Sequence, residues 1–520
     1  MKISPSQAST ELREALTAIV GEANISVANL ERLSYCRDLN PMANLATNDG
    51  RLGPLPDVIV WPHEVDQVVR LVKLAAERRV PLIPFGAGSG VCGGTTPLRG
   101  GIILDLKKMK RILALDEKSL AVTAEAGIIG QHLEMELNRQ GYTMGHFPSS
   151  IYTSTLGGYL AARSAGQLSA KYGKIEDMVL GLEVVLGTGE IMRTPVAPRA
   201  SLGPDWNQIF VGSEGTLGVI TSATCRIRPY PPSREFASFV FPTIEAGIEG
   251  MRLLMQNELK PAAVRLYDEL DTALVGTGSK QGESSESFFD SLPISQFGNA
   301  VKSLVPGLVR RAERFVGQRA DLANELQRFA TKGCLLVLTF EGEELLTRAE
   351  KNLATEICEK AEGVNKGPEP AMRWWKNRYH VSYGQSKVFY HGAFVDTIEM
   401  ATTWRKIADL YHEIRRAVRE KAFIMAHFSH AYHEGCSVYF TFVSAGTDVE
   451  KARQTHRQVW DAAVAACHRV GGAMSHHHGI GYTKAPYMHE EHGQAMRIFE
   501  ALKQEMDPAG ILNPGKMGLS

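Results

Sequence analysis

The sequence is poor in the features that would take it out of the ordinary soluble proteins. Charge of one sign is missing: 57 Lys plus Arg stand against 57 Asp plus Glu. That balance gives no support for nucleic-acid binding, which favours a basic surface. Cysteine is sparse. The seven cysteines (36, 92, 225, 334, 358, 436 and 467) are odd in number, scattered and without Cys-x-x-Cys spacing. Such usage fits reduced thiols in a cytoplasmic compartment. No apolar run reaches membrane-spanning length, and the N-terminus has no basic-then-apolar signal. The final Gly518-Leu519-Ser520 is not a peroxisomal Ser-Lys-Leu ending. There is no Gly-Lys-Ser/Thr, which argues against a nucleoside-triphosphate P-loop. At 520 residues the chain is too long for one core, and two or three domains are expected.

Glycine, by contrast, is concentrated. Between Pro84 and Pro97 the chain carries Gly86, Gly88, Gly90, Gly93 and Gly94. The preceding Val80-Pro81-Leu82-Ile83 reads as a buried strand. Glycines this dense permit positive φ and remove the Cβ atoms that keep a ligand off the backbone. Successive N–H groups can then converge on an anion, with a diphosphate the usual guest. A mobile surface loop is the competing reading. No helix-forming segment follows directly, which argues against a dinucleotide-binding helix N-terminus.

Residues 1–53 read as helical and then irregular: Ser6 to Val20 has apolar residues at helical spacing, and Arg37 to Gly53 is turn-rich. The segment is expected to pack on a domain rather than form one. From Pro56 the pattern changes. Asp57 to Trp61, Pro81 to Phe85, Gly101 to Leu106 and Ser119 to Glu125 read as strands. Glu64 to Arg79 and Ile128 to Gln140 read as helices, the first with an apolar face. These residues predict an α+β domain with a mixed sheet. Two further glycine- and hydroxyl-rich regions follow. The first runs through Gly145-His146-Phe147-Pro148-Ser149-Ser150, Thr155-Leu156-Gly157-Gly158 and Ser164-Ala165-Gly166. The second is Val211 to Thr221, with Glu214, Gly215 and Ile220. Three such loops at successive strand ends can surround one large, extended, polar ligand.

Pro231-Pro232 marks a boundary. Beyond it, strands Phe236 to Phe241, Ala263 to Tyr267 and Cys334 to Glu341 alternate with helices Ile244 to Gln256 and Glu343 to Glu362. They suggest an antiparallel sheet covered by helices. Gly276 to Ser291 reads as a surface excursion. Leu304 to Arg311 is apolar with basic residues alongside. The expected organisation is 1–53 N-terminal, 54–231 first domain, 232–465 a cap, and 466–520 a C-terminal segment returning to the site.

The sharpest feature of the C-terminal half is Ser475-His476-His477-His478-Gly479-Ile480-Gly481. A solvated polar turn is one reading. A metal site is a second, because imidazole is a common zinc ligand, and His427, His430 and His433 could add ligands. Proton transfer is a third, since a pKa near 6.5 suits a catalytic base.

From about Asp57 to the C-terminus, the three loops make the chain resemble the flavoproteins of the vanillyl-alcohol oxidase and p-cresol methylhydroxylase superfamily. The resemblance implies a two-part FAD-binding domain with mixed sheets and an α/β cap domain over the flavin. It implies FAD contacts at Pro84, Gly86, Ala87, Gly88, Ser89 and Gly90. It extends them to Pro148, Ser149, Thr155, Gly157, Gly158, Ser164, Ala165 and Gly166, and then to Glu214, Gly215 and Ile220. No histidine occupies the first loop, so the FAD is expected to be non-covalent. Relatives that oxidise D-2-hydroxy acids tend to carry Gly-Glu-His-Gly-Ile-Gly and a His-x-Gly-Asp-Gly-Asn-x-His strand, and several hold a divalent metal there. Here His477 stands at the acidic position, and the strand reads His430-Ala431-Tyr432-His433-Glu434-Gly435-Cys436-Ser437-Val438-Tyr439. No metal is expected.

The pattern is similar instead to the alkyldihydroxyacetonephosphate synthase family, with its Ser-His-His-His-Gly run and Tyr-x-x-Gly-x-x-x-Tyr-Phe strand. That similarity implies catalytic roles for Tyr432, His476, His477 and His478, and substrate binding by Arg265 and Arg378. A guanidinium suits a phosphate or carboxylate. The implied reaction exchanges the acyl group of acyl-dihydroxyacetone phosphate for a long-chain alcohol, without net redox change. Leu304 to Val309 is a candidate tunnel wall or membrane-facing patch, with ordinary core as the simpler reading. The alternative function is an FAD-dependent D-2-hydroxy acid dehydrogenase or oxidase. The expected partners are a lipid or small-molecule substrate, a second copy of the chain and a peripheral membrane contact, with no nucleic acid.

Overall fold

Short apolar runs bounded by Pro, Asp and Gly become the strands that carry the glycine loops. The structure, a computed structural model, describes residues 3–276, 333–379, 393–445 and 448–519. Residues 277–291 of the Gly/Ser/Glu-rich stretch and the Leu304 to Arg311 segment lie outside the described residues. The chain divides into two units. One comprises Met1–Gly166, Gly173–Tyr230 and His477–Ser520; the other comprises Gln167–Tyr172 and Pro231–His476.

The first unit holds a four-stranded sheet in the order Ile25–Ser26, Val58–Val60, Ile102–Asp105, Leu82–Phe85. Its first pair is antiparallel and the others are parallel, so the sheet is mixed. Strands buried on both faces read as unbroken apolar runs, and Ile102, Ile103 and Leu104 are fully buried. The helix Val65–Arg78 turns Val68, Leu71, Val72 and Ala75 inward. Their 3- and 4-residue spacing makes that face. Burial of each large side chain contributes about 1.5–3 kcal/mol. A five-stranded antiparallel sheet follows, ordered Ile112–Asp116, Ala121–Glu125, Val219–Arg226, Val179–Val185, Ile191–Arg193.

The N-terminal helix is Thr10–Val20, capped by the Ser9 hydroxyl, which accepts from Leu12 N. The turn-rich reading of 37–53 needs correction, because a helix forms at Pro41–Asn48. The Asn40 side chain accepts from Ala43 N, satisfying one orphan donor. Pro41 stands in the first turn, where its missing N–H costs nothing.

The second unit is built on a seven-stranded sheet. Its order is Val364–Asn365, Ser233–Phe241, Cys334–Gly342, Ala263–Tyr267, Phe423–Ser429, Gly435–Ala445, Ala393–Thr403. Every pairing is antiparallel. Helices Ile244–Gln256, Glu344–Lys360 and Ile407–Val418 pack against it. Phe239, Phe340, Phe394, Phe428, Phe440 and Phe442 are fully buried and form its core. Asp268 is one of several carboxylates buried in this unit. Asp268 accepts from Arg415 Nη1 (2.6 Å), Tyr411 Oη (3.2 Å) and Ala426 N (2.9 Å), so the charge is paired and its lone pairs are used. Together the sheets and helices make the α+β architecture that the sequence predicts.

Candidate active site

In the first unit the glycine loop leaves the strand Leu82–Phe85 and is fixed by partners on its outer side. Lys107 Nζ donates to Gly86 O at 2.7 Å and to Asp105 Oδ2 at 2.6 Å. Asp38 Oδ2 accepts from Gly93 N at 2.8 Å. Asn513 Nδ2 donates to Gly94 O at 2.8 Å, and Lys516 Nζ to Thr96 O at 2.7 Å. Burial pushes the Lys516 ammonium down to about 8, against the pull of Glu214 and Asp38, while burial pushes the Asp38 carboxyl up to about 7.

The other two glycine regions close on this loop. A Cβ at Gly86 would lie 2.4 Å from Thr155 Oγ1, and one at Gly215 would lie 2.9 Å from Pro84 Cγ. One at Gly166 would lie 2.6 Å from Phe147 N. At Gly86 and Gly215 a facing side chain, and at Gly166 the facing backbone, comes too close for a Cβ to be accommodated. Thr155 Oγ1 accepts from Gly158 N at 3.2 Å, and Ser164 Oγ meets His146 Nε2 at 2.8 Å. Glu214 has φ 51. Its carboxylate accepts from Ile480 N (2.6 Å) and Gly481 N (2.8 Å), which pins the turn after the histidine run. Pro148, Ser149, Ser164, Ala165 and Gly166 thus lie in the same unit as Gly86, Gly88, Gly90, Gly215 and Ile220.

This cradle also holds polar atoms without partners. Thr95 Oγ1, Thr96 Oγ1, His146 Nδ1 and Asn513 Oδ1 are buried and have no hydrogen-bond partner among the described residues. Buried polar groups are normally satisfied, so a polar ligand fits the observation. Burial pushes the His146 imidazole down to about 3, so the ring is neutral.

In the second unit, the connection between Phe423–Ser429 and Gly435–Ala445 presents Tyr432. Tyr432 N donates to Gly435 O at 2.8 Å, and Trp404 Nε1 donates to His433 O at 2.9 Å, which fixes the turn. The Tyr432 hydroxyl meets His476 Nε2 at 3.1 Å. His476 is anchored through its own N–H, which donates to Glu399 Oε1 at 3.3 Å, beside Ser475 Oγ on the same oxygen at 2.9 Å. His430 stacks on His476 with ring centroids 5.1 Å apart. Ser169 Oγ holds His430 Nδ1 at 2.7 Å. His430 has φ 52, a left-handed conformation that a non-glycine residue adopts only when its surroundings fix it.

The histidine run is divided between the two units. His476 closes the second, and His477 and His478 open the last segment of the first, their rings 4.5 Å apart and edge to face. The three-residue spacing of 427, 430 and 433 gives no shared site. His427 lies among Arg265 and Asp271, His430 lies against Ser169 and His476, and His433 is exposed near Glu258.

Arg265, on the strand Ala263–Tyr267, donates through Nη2 to His427 Nε2 at 2.6 Å. Its Nε is buried without a partner among the described residues. Arg378 lies 3.8 Å over the Trp375 ring and 4.3 Å over Tyr379, and Nη1 donates to Trp375 O at 2.5 Å. Its Nε is likewise buried and unpartnered among the described residues. Trp375 is flanked on its other contact by Arg234, at 4.1 Å. Sequence reasoning missed Ser169, Glu399 and Asp271 as partners of this chemistry, and it named His427 and His430 only as metal ligands.

Residues 56–195 match the family described as FAD binding domain, and residues 230–517 match FAD linked oxidases, C-terminal domain. The chain is 30% identical to alkyldihydroxyacetonephosphate synthase of Dictyostelium discoideum, over 90% of this chain and 74% of that protein. It is 28% identical to glycolate oxidase subunit GlcD of Bacillus subtilis, over 98% and 96%. Among solved structures, an alkyldihydroxyacetonephosphate synthase is similar with a TM-score of 0.76 at 26% identity, covering 99% of this chain and 86% of the other. A p-cresol methylhydroxylase shares the fold at a TM-score of 0.72 and 18% identity, covering 100% and 99%.

Proposed function

The chain belongs to the FAD linked oxidase family and takes FAD as its cofactor, and from that premise we propose that it exchanges the acyl group of acyl-dihydroxyacetone phosphate for a long-chain alcohol. The products are an alkyl ether and a free fatty acid, with no net oxidation. The observation that carries the reading is the 3.1 Å contact between the Tyr432 hydroxyl and His476 Nε2. It joins two groups able to hold and pass a proton. Position 477 is a histidine rather than the glutamate of the hydroxy-acid enzymes, which removes the acidic ligand a divalent ion would use.

Gly86, Ala87, Gly88, Ser89 and Gly90 are proposed to wrap the FAD diphosphate. Pro84, Pro148, Ser149, Thr155, Gly157, Gly158, Ser164, Ala165, Gly166, Gly215 and Ile220 are proposed to line the rest of the cofactor. Glu214 acts through the backbone of 480–481. Bound FAD supplies an electron-accepting ring that the side chains lack. Tyr432, tuned by His476, takes the proton from the carbon bearing the ester; the fatty acid leaves as its carboxylate. The same pair accepts the hydroxyl proton of the incoming alcohol as the carbon–oxygen ether bond forms and returns a proton to that carbon, so that one net proton is released alongside the carboxylate. His477 and His478 are proposed as further proton carriers. Arg265 and Arg378 bind the phosphate. Acyl and alcohol chains support a peripheral contact with a membrane surface, although no described helix is long and apolar enough to cross one. The seven buried, unbridged cysteines support a cytoplasmic location. A homodimer completes the proposal.

Anaerobic mixing with D-lactate, glycolate or D-2-hydroxyglutarate tests the reading. The flavin absorbance is expected to persist; rapid bleaching would favour a dehydrogenase. Arg265→Ala is expected to raise KM for the phosphorylated substrate about ten- to a hundred-fold, the worth of a charged hydrogen bond. An unchanged KM counts against Arg265. Acid or heat is expected to release the flavin from the polypeptide; flavin left on the denatured chain refutes the non-covalent assignment.

A further inference from the structure

Arg265 does not stand alone on its strand. The register sets Tyr267 opposite His427, and His427 opposite Tyr439 on the next strand. The His427 ring is stacked on Tyr439, with centroids 4.7 Å apart and planes at 18°. It is buried, and so cannot turn away from its partners without opening the sheet. Arg265 Nη2 reaches Nε2 of this ring at 2.6 Å and Nδ1 at 3.3 Å. Asp271 Oδ2 lies 3.2 Å from Nδ1.

A guanidinium only donates. The nearer ring nitrogen, Nε2, therefore accepts, and the ring proton of a neutral imidazole sits on Nδ1. There it faces the Asp271 carboxyl. Burial, with Arg265 alongside, holds His427 well below the usual histidine range, which keeps it the neutral acceptor this chain of bonds needs. The order is then Arg265 to His427 to Asp271, one donor passed along three side chains. The Arg265 Nε stays buried and without a partner among the described residues. One edge of the fork is thus held by the ring, while another donor is kept for something else.

We propose that His427 and Asp271 are positioning residues that lock the Arg265 guanidinium in the orientation that receives the substrate's anionic group. The inference rests on the reading of Arg265 as the anion-binding arginine. His427 touches no substrate in this account. It supplies one acceptor at a fixed place, and Asp271 fixes which nitrogen accepts. The entropy of a long, rotatable side chain is spent before the anion arrives, so binding gains.

The two amide replacements of histidine separate this role from simple packing. His427→Gln places an amide oxygen near the Nε2 position and can still accept from Arg265. His427→Asn reaches only the Nδ1 position and leaves the guanidinium unheld. The holoenzymes are first compared for FAD content and thermal midpoint, then titrated with dihydroxyacetone phosphate by calorimetry. His427→Asn is expected to weaken binding about ten-fold, and His427→Gln by no more than about three-fold. In the Arg265→Ala background, His427→Asn is expected to add nothing, because its effect passes through the arginine. In turnover the loss should fall on KM with kcat kept, the mark of uniform binding. If His427→Asn does not fold, Asp271→Ala frees the ring and carries the same expected loss.

Equal affinity in His427→Asn and the parent, or an equal loss with and without Arg265, overturns the inference and leaves the functional reading intact. Failure of the parent to bind dihydroxyacetone phosphate defeats that reading instead. The same proteins are then titrated with D-lactate, and the Asn-against-Gln contrast decides the positioning role separately. Binding of neither anion overturns both.

Discussion

Tyr432→Phe is expected to keep its FAD and its thermal midpoint while losing turnover by about a hundred- to ten-thousand-fold, the usual worth of a positioned acid–base group. The change removes one oxygen and leaves the ring. The turn that presents Tyr432 depends on backbone bonds, Tyr432 N to Gly435 O and Trp404 Nε1 to His433 O, and these do not involve the phenol. The Tyr432 hydroxyl meets His476 Nε2 at 3.1 Å, so the loss falls on proton transfer. His476→Ala is expected to lose a similar factor, and the double variant no more than the worse single one, because the two groups act as a unit. Single-turnover kinetics on the FAD-loaded variants measures this. Near-normal rates in either variant remove that residue from the chemistry.

Gly88→Val is expected to give folded protein that carries no flavin. Gly88 has φ 61, and a Cβ there would stand 2.8 Å from Phe85 Cζ. A β-branched side chain is strained at that φ and fills the space where the loop's backbone is proposed to approach the diphosphate. Gly203 is the control, with φ 94 and nothing within 4 Å of its Cβ position. Gly203→Val carries comparable backbone strain in the same unit and is expected to stay yellow. The ratio of flavin to protein absorbance after purification, with circular dichroism for the fold, reads both. A yellow Gly88→Val protein contradicts the assignment of this loop to the cofactor.

What the sequence disclosed divides by range. The Gly86 to Gly94 run and the apolar strands around it are local signals, each with its own physical cause, and both are found in the structure. Helix Pro41–Asn48 also rests on a local signal, Asn40 before Pro41, which the surrounding turn-forming residues mask. The remaining site is non-local. Ser169 and His430 are separated by 261 residues, and Arg265 and His427 by 162. Only strand register puts His427 between Tyr267 and Tyr439, and no periodicity within one strand reports which residue faces it across the ladder. The spacing of His427, His430 and His433 suggests one ligand set only along the chain. The last strand residues and the turn send the three rings to different partners. Glu399, fully buried, shares its strand with a second buried carboxylate, Asp396, and its use as the anchor of Ser475 and His476 becomes visible only in the fold.

The most direct measurement supplies the FAD-loaded enzyme with acyl-dihydroxyacetone phosphate and a labelled long-chain alcohol, without any electron acceptor. The account predicts label in an ether-linked product and one fatty acid released for each ether formed, with the flavin oxidised at the end. Absence of labelled ether, together with flavin bleaching by a D-2-hydroxy acid, would contradict the proposed exchange while leaving the FAD assignment in place.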